Sequence, residues 1–144
     1  MERLLTPHRV PKPSRVSIHE VCERVRSLVL AEFPRGLTIR RDYDPSLPEL
    51  IGDPEQLIQA VLNIVRNAAQ AVHSAAPGAA GQIRSRTRAA HQVMISGARK
   101  KLALELQVED DGPGIPASIR DRIFYPLVSG RDGGSGLGLT LAQT

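Results

Sequence analysis

Tryptophan is absent from this chain, and aromatic residues of all kinds make up only 3% of it. Proteins that hold single-stranded nucleic acid without sequence preference stack bases on aromatic side chains. So sparse a supply argues against nucleic acid as the partner. There is one cysteine, Cys22, which cannot make an internal disulfide. Its place in an apolar helical pattern predicts a reduced, buried thiol. No apolar run approaches the roughly 20 residues of a membrane span. The first 14 residues are polar and carry Pro7, Pro11 and Pro13, which excludes a signal peptide. No Gly-Lys-Ser/Thr triplet occurs, so there is no P-loop. The dinucleotide fingerprint is also missing, because Leu139 stands where its third glycine would fall.

What remains is ordinary in bulk. A chain of 144 residues with 41% hydrophobic and 24% charged residues suits one soluble domain. The net charge of +4, from 19 basic and 15 acidic side chains, is a mild excess that favours anionic ligands. Basic residues are densest at Arg84, Arg86 and Arg88 and at Arg99, Lys100 and Lys101. The cytoplasm is the simplest location.

The proline-rich start reads as an extended linker over residues 1–16, leading out of something upstream. Ser17-Ile-His-Glu20 has the form of a capping box and predicts a helix to about Glu32, with Val21, Val25, Leu28 and Val29 on one face. Leu37 to Tyr43 alternates as a half-buried strand. Asp53-Pro54-Glu55 is a strong helix start, and that helix should run to about Ser74. Gln82 to about Arg88 predicts a strand, with a separate extended segment near His91 to Ile95. Ser96-Gly97 predicts a turn, and Leu102 to Glu109 is the clearest strand. A short helical piece is expected around Ser118 to Ile123. A final helix is expected to start near Gly136.

Three motifs carry chemistry. On the second helix, Leu57, Val61, Ile64, Val65, Ala68 and Val72 form a broad apolar face, while Gln59, Asn63, Arg66, Asn67 and Gln70 form the opposite stripe. Asparagine is a poor interior helix former, yet Asn63 and Asn67 sit one turn apart and point their amides the same way. Amide oxygens can ligate Mg²⁺ or order a water. The clearest strand then delivers Asp110 into a turn with Gly112 and Gly114, where bare backbone can pass close to a ligand. A carboxylate there suits a donor edge such as the adenine amine. Finally Gly133, Gly134, Gly136 and Gly138 can turn successive N–H groups toward an anion at a helix start. The segment between the two glycine clusters has the size of a lid, which Phe124 and Pro126 could anchor and from which Arg131 could reach a phosphate.

In this order the motifs resemble the ATP-binding catalytic domain of histidine kinases, within the wider ATPase superfamily shared with gyrase, Hsp90 and MutL. Asn63 to Asn67 is similar to the N box, Asp110-x-Gly112-x-Gly114 to the first glycine box, Phe124-Tyr125-Pro126 to the F box, and Gly134 to Leu139 to the second glycine box. Pro7-His-Arg-Val-Pro11, Asn63-Ile-Val-Arg-Asn67 and Val128-Ser-Gly-Arg131 further resemble nitrogen-regulation sensor kinases. The resemblance implies an α+β fold: a two-layer α/β sandwich of the Bergerat type, with a mixed sheet packed under helices and its last strands missing from residues 17–144. It implies ATP and Mg²⁺ as cofactors. Asn67 would ligate the metal and Asn63 would sit beside the phosphates, these two being the catalytic pair. Asp110, Gly112 and Gly114 would bind the adenine side, and Arg131, Gly134, Gly136, Leu137 and Gly138 the phosphates. The γ-phosphoryl group would pass to a histidine outside this sequence, on an absent dimerisation and phospho-acceptor domain, since His8, His19, His73 and His91 lack the acceptor context. Implied partners are a response regulator and a PII-type signal protein, with the full-length protein a dimer. The alternatives are a conformational ATPase of the gyrase or Hsp90 kind and a degenerate, non-catalytic binding or scaffold domain.

Overall fold

The computed structural model describes residues 13–75, 80–111, 118–127 and 140–143. Strand β1 (Ser14–Val16) pairs antiparallel with β3 (Leu50–Gly52), so the stretch read as a linker ends in a short piece of sheet. Between them lie helix α1 (Ile18–Glu32) and strand β2 (Leu37–Asp42). Helix α2 (Pro54–Ala75) follows, then a long hairpin of β4 (Gly81–Ile95) and β5 (Ala98–Asp111), then β6 (Ser118–Pro126) and β7 (Thr140–Gln143). The main sheet has the order β2-β4-β5-β6-β7, with β2 parallel to β4 and the other pairs antiparallel. The sheet is therefore mixed, as the family resemblance implied.

Both helices start where their caps dictate. Ser17 takes an extended backbone and its hydroxyl accepts the Glu20 N–H at 3.4 Å. Asp53, 1% exposed, accepts the Glu55 N–H through Oδ1 at 3.0 Å, and its carbonyl accepts the Leu57 N–H at 3.0 Å. Pro54 fills the first helical position, where a missing N–H costs nothing.

The apolar stripe of α2 is buried in full: Leu57, Val61, Ile64, Val65, Ala68 and Val72 all belong to one core with Val21, Val25 and Val29 of α1. Each large aliphatic side chain so buried contributes roughly 1.5–3 kcal/mol. Leu28 does not join them; it is 42% exposed, and Ile18 and Cys22 complete the buried face of α1 instead. On β4, Gly81, Ile83, Ser85 and Thr87 are buried while Arg84, Arg86 and Arg88 alternate with them on the other side. The helices thus cover one face of the sheet. The open face is a lattice of charge: Asp42 takes Arg88 at 3.1 Å, Arg86 at 3.6 Å and Arg84 at 3.8 Å, and Glu105 takes Arg122 at 3.0 Å.

Three sequence expectations give way to pairing. Gln82–Arg88 and His91–Ile95 are one continuous strand, because β5 pairs with it along its length around a turn at Ser96 (φ 52°) and Gly97 (φ 81°). That is the twist a two-residue hairpin turn favours. Ser118 to Ile123 is not helical. Asp121, Ile123 and Tyr125 alternate into the core, and β5 supplies the ladder. Here tertiary pairing overrides a spacing that fits either period. Thr140–Gln143, expected within a final helix, pairs with Asp121–Phe124 as β7. Phe124 and Pro126 accordingly lie in the sheet and not in a lid.

Candidate nucleotide-binding site

The exposed side of α2 carries the stripe the sequence predicts. Gln59, Asn63, Asn67 and Gln70 are exposed. Arg66 is half-buried, its Nε donating to Glu32 Oε1 at the end of α1 at 2.9 Å. Successive residues turn by about 100°, so Arg66 marks the flank of α2 that faces α1, and Asn67 is rotated toward the opposite flank. The edge-to-face contact of Phe33 with His73, at 6.0 Å between centroids, lies on the α1 flank too.

Asp110 is the penultimate residue of β5, in register with Ile83 of β4 and Ser118 of β6. It follows Leu104, Leu106 and Val108 in the period of two, which puts its carboxylate on the helix-covered side of the sheet. The residue is half-buried and its Oδ2 is closed off from solvent. On the charged face, away from the helices, the ends of β4 and β5 form a shallow depression lined by Gln82, Arg84, Glu109, Asp110 and Asp111. Arg84 spans its rim to Glu109 at 3.2 Å.

Gly81 ties this end of the sheet to α2. A Cβ on Gly81 would collide with Val72 of α2 and would lie 3.8 Å from the Asp111 carbonyl oxygen. The helix therefore rests on the first residue of β4, beside the strand end that carries Asp110. The amide-bearing helix thus packs, through its last turns, on the face of the sheet toward which Asp110 alternates.

Gly112, Gly114, Arg131, Gly134, Gly136, Leu137 and Gly138 lie outside the described residues. Of the sequence-predicted set, the structure therefore places Asn63, Asn67 and Asp110.

A family model described as "Histidine kinase-, DNA gyrase B-, and HSP90-like ATPase" matches residues 52–144, well over half of the sequence. The chain belongs to this ATPase family. It is also similar along its length to the sensory histidine kinase/phosphatase NtrB of Klebsiella oxytoca, with 50% identity over 144 residues, all of this chain and 40% of that protein. The chain thus spans about two fifths of the length of the curated relatives it matches. Among solved structures, the mycobacterial sensor histidine kinase MprB superposes with a TM-score of 0.50 at 27% identity, over 73% of this chain and 57% of that one. Histidine kinase ThkA, solved in complex with response regulator protein TrrA, superposes with a TM-score of 0.51 at 18% identity over 80% of this chain and 31% of that one, a likeness of fold. Asn63, Asn67 and Asp110 fall within the residues this family model matches, the first two on α2 and the third near the end of β5.

Sequence reasoning missed the support beneath that helix. Tyr125 is 2% exposed, and its hydroxyl donates to the Ile51 carbonyl at 3.0 Å, just ahead of the α2 cap. Burial, together with the nearby Asp53 carboxylate, pushes its phenol up to about 12, so it remains a proton donor. A Cβ on Gly52 would come within 2.6 Å of that hydroxyl oxygen. The sequence signal was an aromatic with a polar handle opposite a glycine, and nothing local reveals such a pairing across the fold.

The site fits the groups the family implies. Asn67 offers a hard, exposed amide oxygen of the kind Mg²⁺ accepts beside phosphates and water. Asp110 offers a carboxylate oxygen withdrawn from solvent, where a hydrogen bond from an exocyclic amine counts for more than in water.

Proposed function

We propose that this chain is the ATP-binding kinase module of a two-component nitrogen-regulation sensor histidine kinase. The observation that carries the proposal is that the last turns of α2, the helix bearing the two exposed amides, rest on the first residue of β4 beside the end of β5 that carries Asp110. Similarity along the whole chain to a sensory histidine kinase/phosphatase supports it. In this reading Asp110 accepts a hydrogen bond from the adenine amine, Asn67 holds Mg²⁺, and Asn63 lies beside the phosphates. Gly112 and Gly114 let the backbone approach the base, and Arg131, Gly134, Gly136, Leu137 and Gly138 surround the phosphate chain. Bound Mg²⁺ supplies neutralisation of the developing phosphate charge. The protein's own part is positioning. An amide at position 63 cannot take a proton from water, which favours transfer to a histidine over hydrolysis. That histidine belongs to a dimerisation domain outside this sequence, joined through residues 1–16. A response regulator would receive the phosphoryl group, and a PII-type protein would set the balance of activities.

The test is calorimetric titration of the purified chain with a non-hydrolysable ATP analogue and Mg²⁺, alongside Asp110→Asn. Saturable binding that the variant loses is expected. A folded wild-type chain that takes up no nucleotide would favour the scaffold reading. Sustained ATP hydrolysis by this chain alone would favour the conformational ATPase.

A further inference from the structure

From residue 56 through residue 104 the sequence contains no aspartate or glutamate, yet it carries seven basic residues. The fold brings acids from elsewhere to four of them. Arg66 meets Glu32 of α1, and Arg84, Arg86 and Arg88 meet Asp42 of β2, with Glu109 also on Arg84. Arg99, Lys100 and Lys101 are left, and among the described residues none of the three has a carboxylate partner.

These three cations lie together near the turn of the β4–β5 hairpin. Pairing of β2 with β4 stops at Asp42 and Arg86, and pairing of β6 with β5 stops at Pro126 and Ala103. Beyond those points no third described strand pairs with the hairpin, which runs on to its turn at Ser96-Gly97 with Ile95 buried on one side and Met94, Arg99 and Lys101 exposed. Strand alternation sends Arg99 and Lys101 to one side of the ribbon and Lys100 to the other. Met94, 58% exposed, adds an adaptable apolar contact across the ribbon, in register with Arg99.

We propose that this hairpin tip is a docking surface for an acidic protein segment. Three adjacent cations with no carboxylate partner among the described residues give the tip a positive field, and such a field steers and orients an anionic partner. A single-stranded nucleic acid would need stacking platforms, and the tip has no aromatic side chain. A bilayer would need an apolar wedge larger than one methionine.

A fluorescein-labelled oligoglutamate, titrated with the intact chain and followed by anisotropy, tests this. Arg99→Glu/Lys100→Glu/Lys101→Glu should weaken binding roughly tenfold or more. Arg24→Glu/Arg35→Glu/Arg40→Glu, which changes the net charge equally at exposed sites on α1, the following turn and β2, should leave binding close to wild type. Lys100→Gln/Lys101→Gln gives an intermediate loss and serves if the triple reversal disturbs the hairpin. Three results would overturn the proposal: no oligoglutamate binding by the wild-type chain, equal weakening by the two reversals, or binding to phosphatidylglycerol-containing vesicles in place of oligoglutamate.

Discussion

Val72 of α2 occupies the space a side chain on Gly81 would need. This contact seats the last turns of the helix on the first residue of β4, beside the strand end that carries Asp110. Gly81 has no unusual backbone requirement, so its lack of a Cβ serves close approach alone. Gly81→Ala should destabilise the chain by about 1–3 kcal/mol through overpacking. Val72→Ala alone should cost about 1–2 kcal/mol for lost buried methyl groups. The double variant should be more stable than the sum of the two predicts, because each relieves the other. Urea midpoints of the four proteins measure the coupling, and strict additivity would show that the helix shifts away freely.

His19 is held neutral by its surroundings. Its Nε2 lies 3.0 Å from the hydroxyl of Thr87, which is itself fully buried and also accepts the Asp44 N–H at 2.9 Å. The imidazole stacks on Tyr43 at 4.7 Å, and Tyr43 donates to Glu23 at 2.8 Å. Burial lowers the His19 pKa below 6.5, with Asp44 and Glu23 opposing in part. The unfolded chain therefore binds this proton more readily than the native one. Stability from this group is fully present above pH ~6.5 and falls as the pH drops toward the folded-state value. His19→Gln should flatten the dependence of the urea midpoint on pH just below 6.5. An unchanged slope would mean the imidazole gains its proton as easily in the folded state.

Cys22 is 4% exposed, and burial foremost, with Glu23 adding to it, pushes its thiol up to about 12. The thiolate is the reactive form. Alkylation by iodoacetamide at neutral pH should therefore be negligible in the native chain and proceed at the rate set by global opening. Rapid labelling without loss of helical circular dichroism would place the thiol nearer the surface than its burial indicates.

The parts of this fold that the sequence disclosed are those governed by local rules. The α2 stripe, the Ser17 and Asp53 caps and the turn at Ser96-Gly97 depend on residues within a turn or two of each other. What it hid depends on partners far along the chain. Leu28 fits the apolar spacing of α1, but it falls at the margin of the face that Ile18, Val21, Cys22, Val25 and Val29 bury. Ile119 and Ile123 suit a helix as well as a strand until β5 offers a ladder. The site divides the same way. Asp110 and the two asparagines announce themselves by residue type and position, whereas the Tyr125 support spans from β6 to β3.

The two flanks of α2 give the sharpest test of the proposed site. Arg66 lies between Asn63 and Asn67 in sequence and is the cation nearest to both along the chain, which invites a role at phosphate. The geometry assigns it elsewhere: its guanidinium faces α1 and pairs with Glu32 at 2.9 Å, with both side chains about two fifths exposed. A pair this exposed contributes at most ~1 kcal/mol. Arg66→Ala should therefore lower stability slightly and leave affinity for the Mg²⁺ complex of a non-hydrolysable ATP analogue within about twofold, a change of under 0.5 kcal/mol. Asn67→Ala, on the other flank, should reduce that affinity on the order of tenfold or more, because it removes a ligand to a charged group. Calorimetric titration of both variants decides the matter. If Arg66→Ala lost as much affinity as Asn67→Ala, the nucleotide would have to lie on the α1 side of the helix, away from Asp110.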